Sequence, residues 1–206
     1  MSFADELRGA AAASGVKLDE RIVAGCVAHF ELLVRWNKTH NLTRITDPRE
    51  AARKHYLDCL APLMAWEPPA SFVDVGSGAG FPGLLACLAW PTAAATLVEP
   101  ASKRVSFLRL AADAMSLDAP SIVAPGQGRA ERVLSRATFP PGEREQLVAY
   151  AAKGNAAIVV WGHPHDIGTW NDEVSTWGPS WSSAARGYQI DAVEERSLLI
   201  AARQDR

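Results

Sequence analysis

Gly76, Gly78 and Gly80 follow the short apolar run Phe72, Val73 and Val75, and a single acid, Glu99, stands about twenty residues further on. Glycine lets a chain turn where a side chain would block a bound molecule. The stretch 71–83, SFVDVGSGAGFPG, therefore reads as a buried strand running into a ligand-binding turn. Pro82 then opens a helix whose free N–H groups point back into that turn. A second strand over 94–98 ends at Glu99, and a carboxylate at that strand tip can accept both hydroxyls of a ribose. S-adenosylmethionine (SAM) is the ligand these residues favour. Gly78, Gly80 and Gly83 also spell G-x-G-x-x-G, so a dinucleotide site in an oxidoreductase stays open on the glycines alone, as does a tight turn in another α/β protein.

Other reactive residue types are less organised. His163-Pro164-His165 resembles half a metal site, but no third ligand stands at suitable spacing, and no metal is expected. Trp161, Trp170, Trp177 and Trp181 fall in a Gly/Pro-rich stretch and could stack a displaced base, although packing of an irregular loop on the sheet is the plainer reading. Cys26, Cys59 and Cys87 are odd in number, far apart and set in apolar stretches, which suits reduced core thiols.

The elements that must position the turn can be read from periodicity. The first sixty or so residues are helical in pattern, with Ile22, Val23, Cys26, Val27, Phe30, Leu33 and Val34 on one face of a helix that starts at 18–19 and ends near Trp36. Asp47-Pro48-Arg49-Glu50 supplies an N-cap, a first-turn proline and a capping-box acid for a helix reaching about Trp66. From 71 onward strands at 71–75, 94–98, 121–124, 132–136 and 156–161 alternate with helices at 82–89, 101–115 and 142–152. That order predicts an α/β, Rossmann-like, mostly parallel seven-stranded sheet. Strands 188–193 and 197–202 should close it as an antiparallel hairpin. A single unit over 1–206 is expected, with a helical segment at 1–67 and a cofactor-binding core at 71–206.

With 206 residues, 48% hydrophobic and 21% charged, the chain can bury a full core. No apolar run approaches the ~20 residues of a membrane span, and MSFADELRG carries acids where a signal peptide carries bases, so a cytoplasmic enzyme is expected. The net charge is −2, but residues 35–136 hold twelve Lys/Arg against nine acids, while both flanking segments are acidic. A modest central basic face could meet phosphates.

Beyond these residue-level readings, WNKTHNLTRITDPREAARKHYLDCLAP at 36–62 resembles the signature preceding the glycine loop in the RsmG (GidB) family of small-subunit rRNA methyltransferases. VDVGSGAGFPG at 73–83, LVEPASKRVSFLR at 97–109, GRAE at 128–131 and SRA at 135–137 follow in that family's order. The resemblance implies a SAM-dependent methyltransferase acting on N7 of a guanine in 16S rRNA, with rRNA or a 30S particle as partner and no membrane. It places Gly76, Ser77, Gly78, Gly80 and Phe81 in the loop of the SAM pocket, Glu99 on the ribose, Ala130 and Glu131 near the adenine, and Arg136 at the methionine end or the incoming base. Two departures stand out. Only four residues separate Glu131 from Arg136, where the family has a longer loop and a full fourth strand, and Val160-Trp161-Gly162 stands where it typically has Lys-Gly. These motivate a further alternative, a SAM-binding relative that has lost turnover or changed substrate.

Guanine N7 carries a lone pair and no proton, so transfer needs alignment and no general base. The residues expected to align the substrate are Arg136, Asn37, Lys38 and Asn41. Arg136 could instead pair with an acid, and Asn37 and Asn41 could simply cap and turn the chain between two helices. His55 and Asp58 could join the site, though one of them is expected only to brace its helix. Lys103 and Arg104, in the first turn of the helix after Glu99, sit where positive charge is unfavourable unless a phosphate is near.

Overall fold

The computed structural model describes residues 1–190 and 194–203. Helices α1 (Phe3–Ala13) and α2 (Glu20–His40) come first. A continuous helical stretch follows, built from α3 (Pro48–Ala51), a π-helical turn (Ala52–Leu57) and α4 (Asp58–Met64). Strands β1 (Ser71–Val75), β2 (Ala94–Val98), β3 (Ser121–Val123), β4 (Arg132–Arg136) and β5 (Ala156–Gly162) then alternate with α5 (Gly83–Ala89) and α6 (Ser102–Ala114). Helix α7 (Ile167–Ser175) precedes β6 (Trp181–Gln189) and β7 (Glu195–Arg203). The seven strands form one sheet in the order β3-β2-β1-β4-β5-β7-β6. All neighbours are parallel except β7, which runs antiparallel to both β5 and β6.

Alternate strand residues face opposite sides of the sheet, and each side has its own core. Phe72, Leu97, Leu134, Val159 and Leu198 pack under α1, α2 and α4 to α6. Val73, Val98, Val133, Ile158 and Leu199 pack under the 144–150 segment and α7. Side-chain caps start the N-terminal helices. Asp19 accepts the Ile22 N–H at 2.7 Å to start α2, and Asp47 accepts the Glu50 N–H at 2.8 Å to start α3. The Glu50 carboxylate does not close the expected capping box; it pairs with Lys54 one turn on.

Three expected elements differ. The helix expected at 142–152 is a 3₁₀ segment, Arg144–Tyr150. The Arg144 N–H is taken by Glu173 Oε1 at 2.7 Å, and Ala151 is drawn out to bridge with Ala130. The stretch from 164, expected to be irregular, contains α7, with Trp170 fully buried on it. The terminal hairpin pairs 181–189 with 195–203, a longer register than 188–193 with 197–202. Residues 191–193 of the expected strand lie outside the described residues. Ser182 to Gly187 are exposed and small or polar, so their strand character comes from pairing with β7 rather than from a hydrophobic pattern.

Candidate SAM and methyl-transfer site

Strand order reverses between β1 and β4, and in such sheets ligands sit outside the carboxyl ends of the strands at the reversal. The glycine turn lies there. Gly76 and Ser77 donate their N–H groups to the Val98 carbonyl at 2.9 and 3.1 Å, and Gly80 donates to Ser77 at 2.7 Å. Gly76, Gly78 and Gly80 have φ of 78°, 55° and 89°, a region L side chains rarely adopt. At Gly78 an added Cβ would meet only the Gly76 carbonyl oxygen, 3.7 Å away, so a side chain there would project into open space over the turn. At Gly76 it would strike the Thr138 side chain, whose hydroxyl donates to the Val75 carbonyl at 2.7 Å.

Three groups tie the turn down. The buried Glu99 carboxylate accepts the Gly78 N–H through Oε2 and the Ala101 N–H through Oε1, both at 2.9 Å. A carboxylate offers about four lone-pair sites, so two remain for a ribose diol. Asp74 accepts the Gly83 N–H through Oδ2 at 3.1 Å, while its buried Oδ1 has no partner among the described residues. Burial pushes its carboxyl up to about 7. His29, on α2, reaches the turn from the helical side. Its Nε2 lies 2.9 Å from the Ala79 carbonyl oxygen and must therefore donate, leaving Nδ1 to accept from the Tyr56 hydroxyl at 2.6 Å. Burial lowers its pKa to about 4, so the ring is neutral. Phe81 packs edge-on to His29 and Tyr56 and is stacked on His55 at 4.8 Å.

Arg136 ends β4 beside the turn. Its Nε donates to Asp58 Oδ2 at 3.1 Å, its Nη2 lies 2.8 Å from the same oxygen, and Nη2 also donates to the Lys54 carbonyl at 2.6 Å. The acid that pairs with Arg136 is thus Asp58, reached from the helical segment. His55 Nε2 shares a hydrogen bond with the Thr43 hydroxyl at 2.8 Å, and the ring is neutral, its pKa lowered to about 4 chiefly by burial and next by Arg136.

The structure does not bring every expected residue to this place. Glu131 lies at the start of β4, where its carboxylate accepts the Ala70 N–H at 3.0 Å and its own N–H donates to Ser71 Oγ. Ala130 is buried beside Ala151 and Tyr150. Both are therefore at the amino end of the strands, roughly 13 Å along β1 from the turn at ~3.3 Å per residue. The four residues between Glu131 and Arg136 belong to β4 itself, so the link that is short is the one before it. The chain leaves β3 at Val123 and must begin β4 at Arg132, so 124–131 descends directly across the sheet, with Gly128 close to Thr96. Asn37 and Asn41 also serve the backbone: the Asn37 amide holds both the N–H and the C=O of Thr43 at 2.9 Å, and Asn41 ends α2 with φ 48°. Lys38 is exposed near that end. Lys103 and Arg104 are exposed at the start of α6, on the carboxyl end of β2. Trp161, where the family resemblance expects lysine, is buried and donates its indole N–H to the Asp58 carbonyl at 3.0 Å. His163 and His165 stack on each other, and no group of three potential metal ligands occurs among the described residues.

His29 and Thr138 were not legible as site residues. A histidine on the apolar face of α2 was the only signal for the first; nothing in the sequence marks the second.

Two concavities, of about 600 and 690 Å³, open at the amino end of the sheet, lined among others by Trp90 and Ser121 and by Glu131 and Arg132. They lack the glycine turn, Glu99 and Arg136, and the chemistry assembled at the carboxyl end outweighs their size.

The model of the GidB family, rRNA small subunit methyltransferase G, matches residues 24–143. The chain belongs to this family. It is 35% identical over 130 residues to Ribosomal RNA small subunit methyltransferase G of Lactococcus lactis subsp. cremoris, covering 62% of this chain and 53% of that one. With the protein of that name from Roseiflexus castenholzii it shares 37% identity over 164 residues, 78% of this chain and 67% of the relative. The matched part thus spans about half to two thirds of these relatives' length. The O-methyltransferase TomG from Streptomyces achromogenes, solved in complex with SAM, superposes over 100% of both chains with a TM-score of 0.57 at 15% identity, a likeness of fold. Within the family frame, the turn at 76–83 and the SRA at 135–137 meet at one end of the sheet, while the GRAE at 128–131 stays at the other.

Proposed function

We propose that this GidB-family chain is a SAM-dependent methyltransferase acting on N7 of a guanine in small-subunit (16S) rRNA, with naked rRNA or a 30S particle as its partner and the cytoplasm as its compartment. The observation that carries the reading is the convergence of the glycine turn, Glu99 and Asp74 with Arg136 at the β1/β4 reversal. These residues fit the cofactor: Glu99 keeps acceptors for the ribose, the unpartnered Asp74 Oδ1 can accept from its ammonium group, and Gly78 leaves the turn open where a side chain would stand. SAM supplies an electrophilic methyl group on a sulfonium.

The chain's own part is alignment. Guanine N7 needs no proton removed, so the neutral His29 and His55 have no acid or base role and serve to hold the turn and Phe81 in place. Fixing attacking atom, methyl carbon and leaving sulfur in line is worth up to roughly 7–11 kcal/mol in well-oriented systems. In this reading Arg136, fixed on Asp58 and the Lys54 carbonyl, orients the substrate edge. Exposed Lys103 and Arg104 at the start of α6, and exposed Lys38 near the end of α2, can meet phosphates.

Two observations favour a second reading, a SAM-binding relative without turnover. Ala130 and Glu131 stand away from the turn, and Trp161 supplies no charge. The deciding experiment is incubation of the chain with labelled SAM and 30S subunits lacking N7-methylguanosine, followed by mapping of the label. Label on one guanine N7 is the expected result; bound SAM with no transfer to any subunit or naked rRNA would favour the second reading.

A further inference from the structure

Asp58 makes more contacts across the molecule than any resemblance assigns to it. It is 3% exposed, at the first turn of α4 directly after the π-helical segment. Oδ2 holds Arg136 of β4 through two nitrogens, at 3.1 and 2.8 Å. Oδ1 accepts the Tyr188 hydroxyl of β6 at 2.7 Å and lies 3.8 Å from Nε of Arg196 on β7. Its main-chain carbonyl accepts the Trp161 indole of β5. The π turn contributes as well: the Asp58 N–H reaches back five residues to the Arg53 carbonyl, and the Lys54 carbonyl accepts Arg136. Such turns recur at functional sites.

A brace between a helix and a sheet does not require this arrangement. Withdrawing a carboxylate and two guanidinium groups from water is costly, and apolar residues of like volume commonly hold such a joint at least as well. What a buried carboxylate adds is direction, because it fixes a planar guanidinium in one orientation. Arg136 has five N–H groups. Those on Nε and Nη2 are spent on Asp58 and Lys54, and the two on Nη1 meet no acceptor among the described residues. The guanidinium side chain retains 20% exposure at the end of β4, level with the glycine turn.

We propose that Asp58 is the positioning residue of the transfer site: by gripping one edge of Arg136 it presents the other edge to an acceptor on the target nucleotide. The proposal rests on the function given above. It deepens that reading by assigning substrate orientation to a residue of the helical segment and leaving cofactor affinity to a different set, since the glycine turn is held by Glu99 and His29 with no contact to Asp58.

The test compares the parent chain, Asp58→Asn and Tyr188→Phe for S-adenosylhomocysteine affinity, melting temperature, and kcat and KM on 30S subunits lacking N7-methylguanosine. Asp58→Asn keeps the shape and removes the charge; kcat should fall at least about tenfold while S-adenosylhomocysteine affinity stays within about threefold. Tyr188→Phe leaves the carboxylate and removes one of its ties, and should lower kcat by a few fold with affinity unchanged. Should Asp58→Asn fail to fold, the Tyr188→Phe result alone decides. The proposal is overturned if kcat is unmoved in a folded Asp58→Asn chain, if Tyr188→Phe is indistinguishable from the parent, or if affinity and kcat fall together, as a brace for the whole fold would require. A parent chain that transfers no methyl group to any rRNA substrate removes the functional reading itself, a result separate from an active parent with an equally active variant.

Discussion

The two sides of β1 are held together by different chemistry. Toward β2 the glycine turn is fixed by single hydrogen bonds on backbone groups: Val98 on Gly76 and Ser77, Glu99 on Gly78, His29 on Ala79 and Asp74 on Gly83. Toward β4 the chain is fixed by charge, with Asp58 bridging Arg136 and Tyr188 and reaching toward Arg196. Backbone hydrogen bonds specify the shape of a cradle, whereas a carboxylate oxygen held by two nitrogens of one guanidinium specifies the direction of one side chain. Affinity for the cofactor and orientation of the substrate should therefore be separable by mutation.

The sharpest break in that comparison is at Gly78. At Gly78 an added Cβ meets only the Gly76 carbonyl oxygen at 3.7 Å, and at φ 55° a branched side chain both strains the turn and covers it. S-adenosylhomocysteine binding should be lost within the range of a calorimeter, in a chain whose far-ultraviolet dichroism matches the parent. Unchanged affinity in the folded variant would remove the turn from the site.

Glu99→Ala sharpens the same side. It deletes the ties to Gly78 and Ala101 together with the acceptors for the ribose, and should weaken binding by about 1–3 kcal/mol, roughly five- to 150-fold. Methyl transfer at saturating SAM should fall much less, and a large loss of kcat would show that the two sides are not separable.

A smaller effect concerns acid stability. His29 and His55 have pKa values lowered to about 4 by burial, against about 6.5 when unfolded. The stability they contribute is fully present above about pH 6.5 and is lost as pH falls toward 4. Asp74, raised to about 7, acts the other way: its contribution is present at low pH and is lost as pH rises from about 4 to 7. Two groups oppose one over nearly the same window, so the melting temperature should drop between pH 6.5 and 4, and His29→Gln should flatten that drop. An equally steep profile in the variant would mean that His29 does not titrate with unfolding.

Least in size is the effect of the exposed basic pair. Lys103→Ala with Arg104→Ala should lower methylation of 30S subunits by a few fold and reduce its salt dependence, leaving S-adenosylhomocysteine affinity intact. Equal activity at every salt concentration would separate that face from RNA.

The sequence carried the cofactor side further than the transfer side, for physical reasons. A glycine needed at positive φ, a strand of apolar residues and an acid at a strand tip are local signals, and Gly76, Gly78, Gly80 and Glu99 stand together as their spacing implies. The partner of Arg136 is 78 residues away in sequence, and only the folded sheet brings Asp58 to it. His29 looked like part of an apolar helix face because its two hydrogen-bond partners, Tyr56 and Ala79, lie 27 and 50 residues downstream. The motif match puts Ala130 and Glu131 at the adenine, but the path of 124–131 into β4, which no local pattern marks, holds them at the far end of the sheet. The first seven residues of β6 lie outside the expected strand 188–193 because Ser182–Gly187 has no buried face; only pairing with β7 makes them a strand. No helix among the described residues is long and apolar enough to cross a membrane, as the composition suggested.

The central claim is that the glycine turn at the β1/β4 reversal is a SAM site. Calorimetric titration of the unmodified chain with S-adenosylhomocysteine and, separately, with NAD tests it most directly. One-to-one binding of S-adenosylhomocysteine with no heat from NAD is the predicted result; binding of NAD, or of neither ligand, would contradict it.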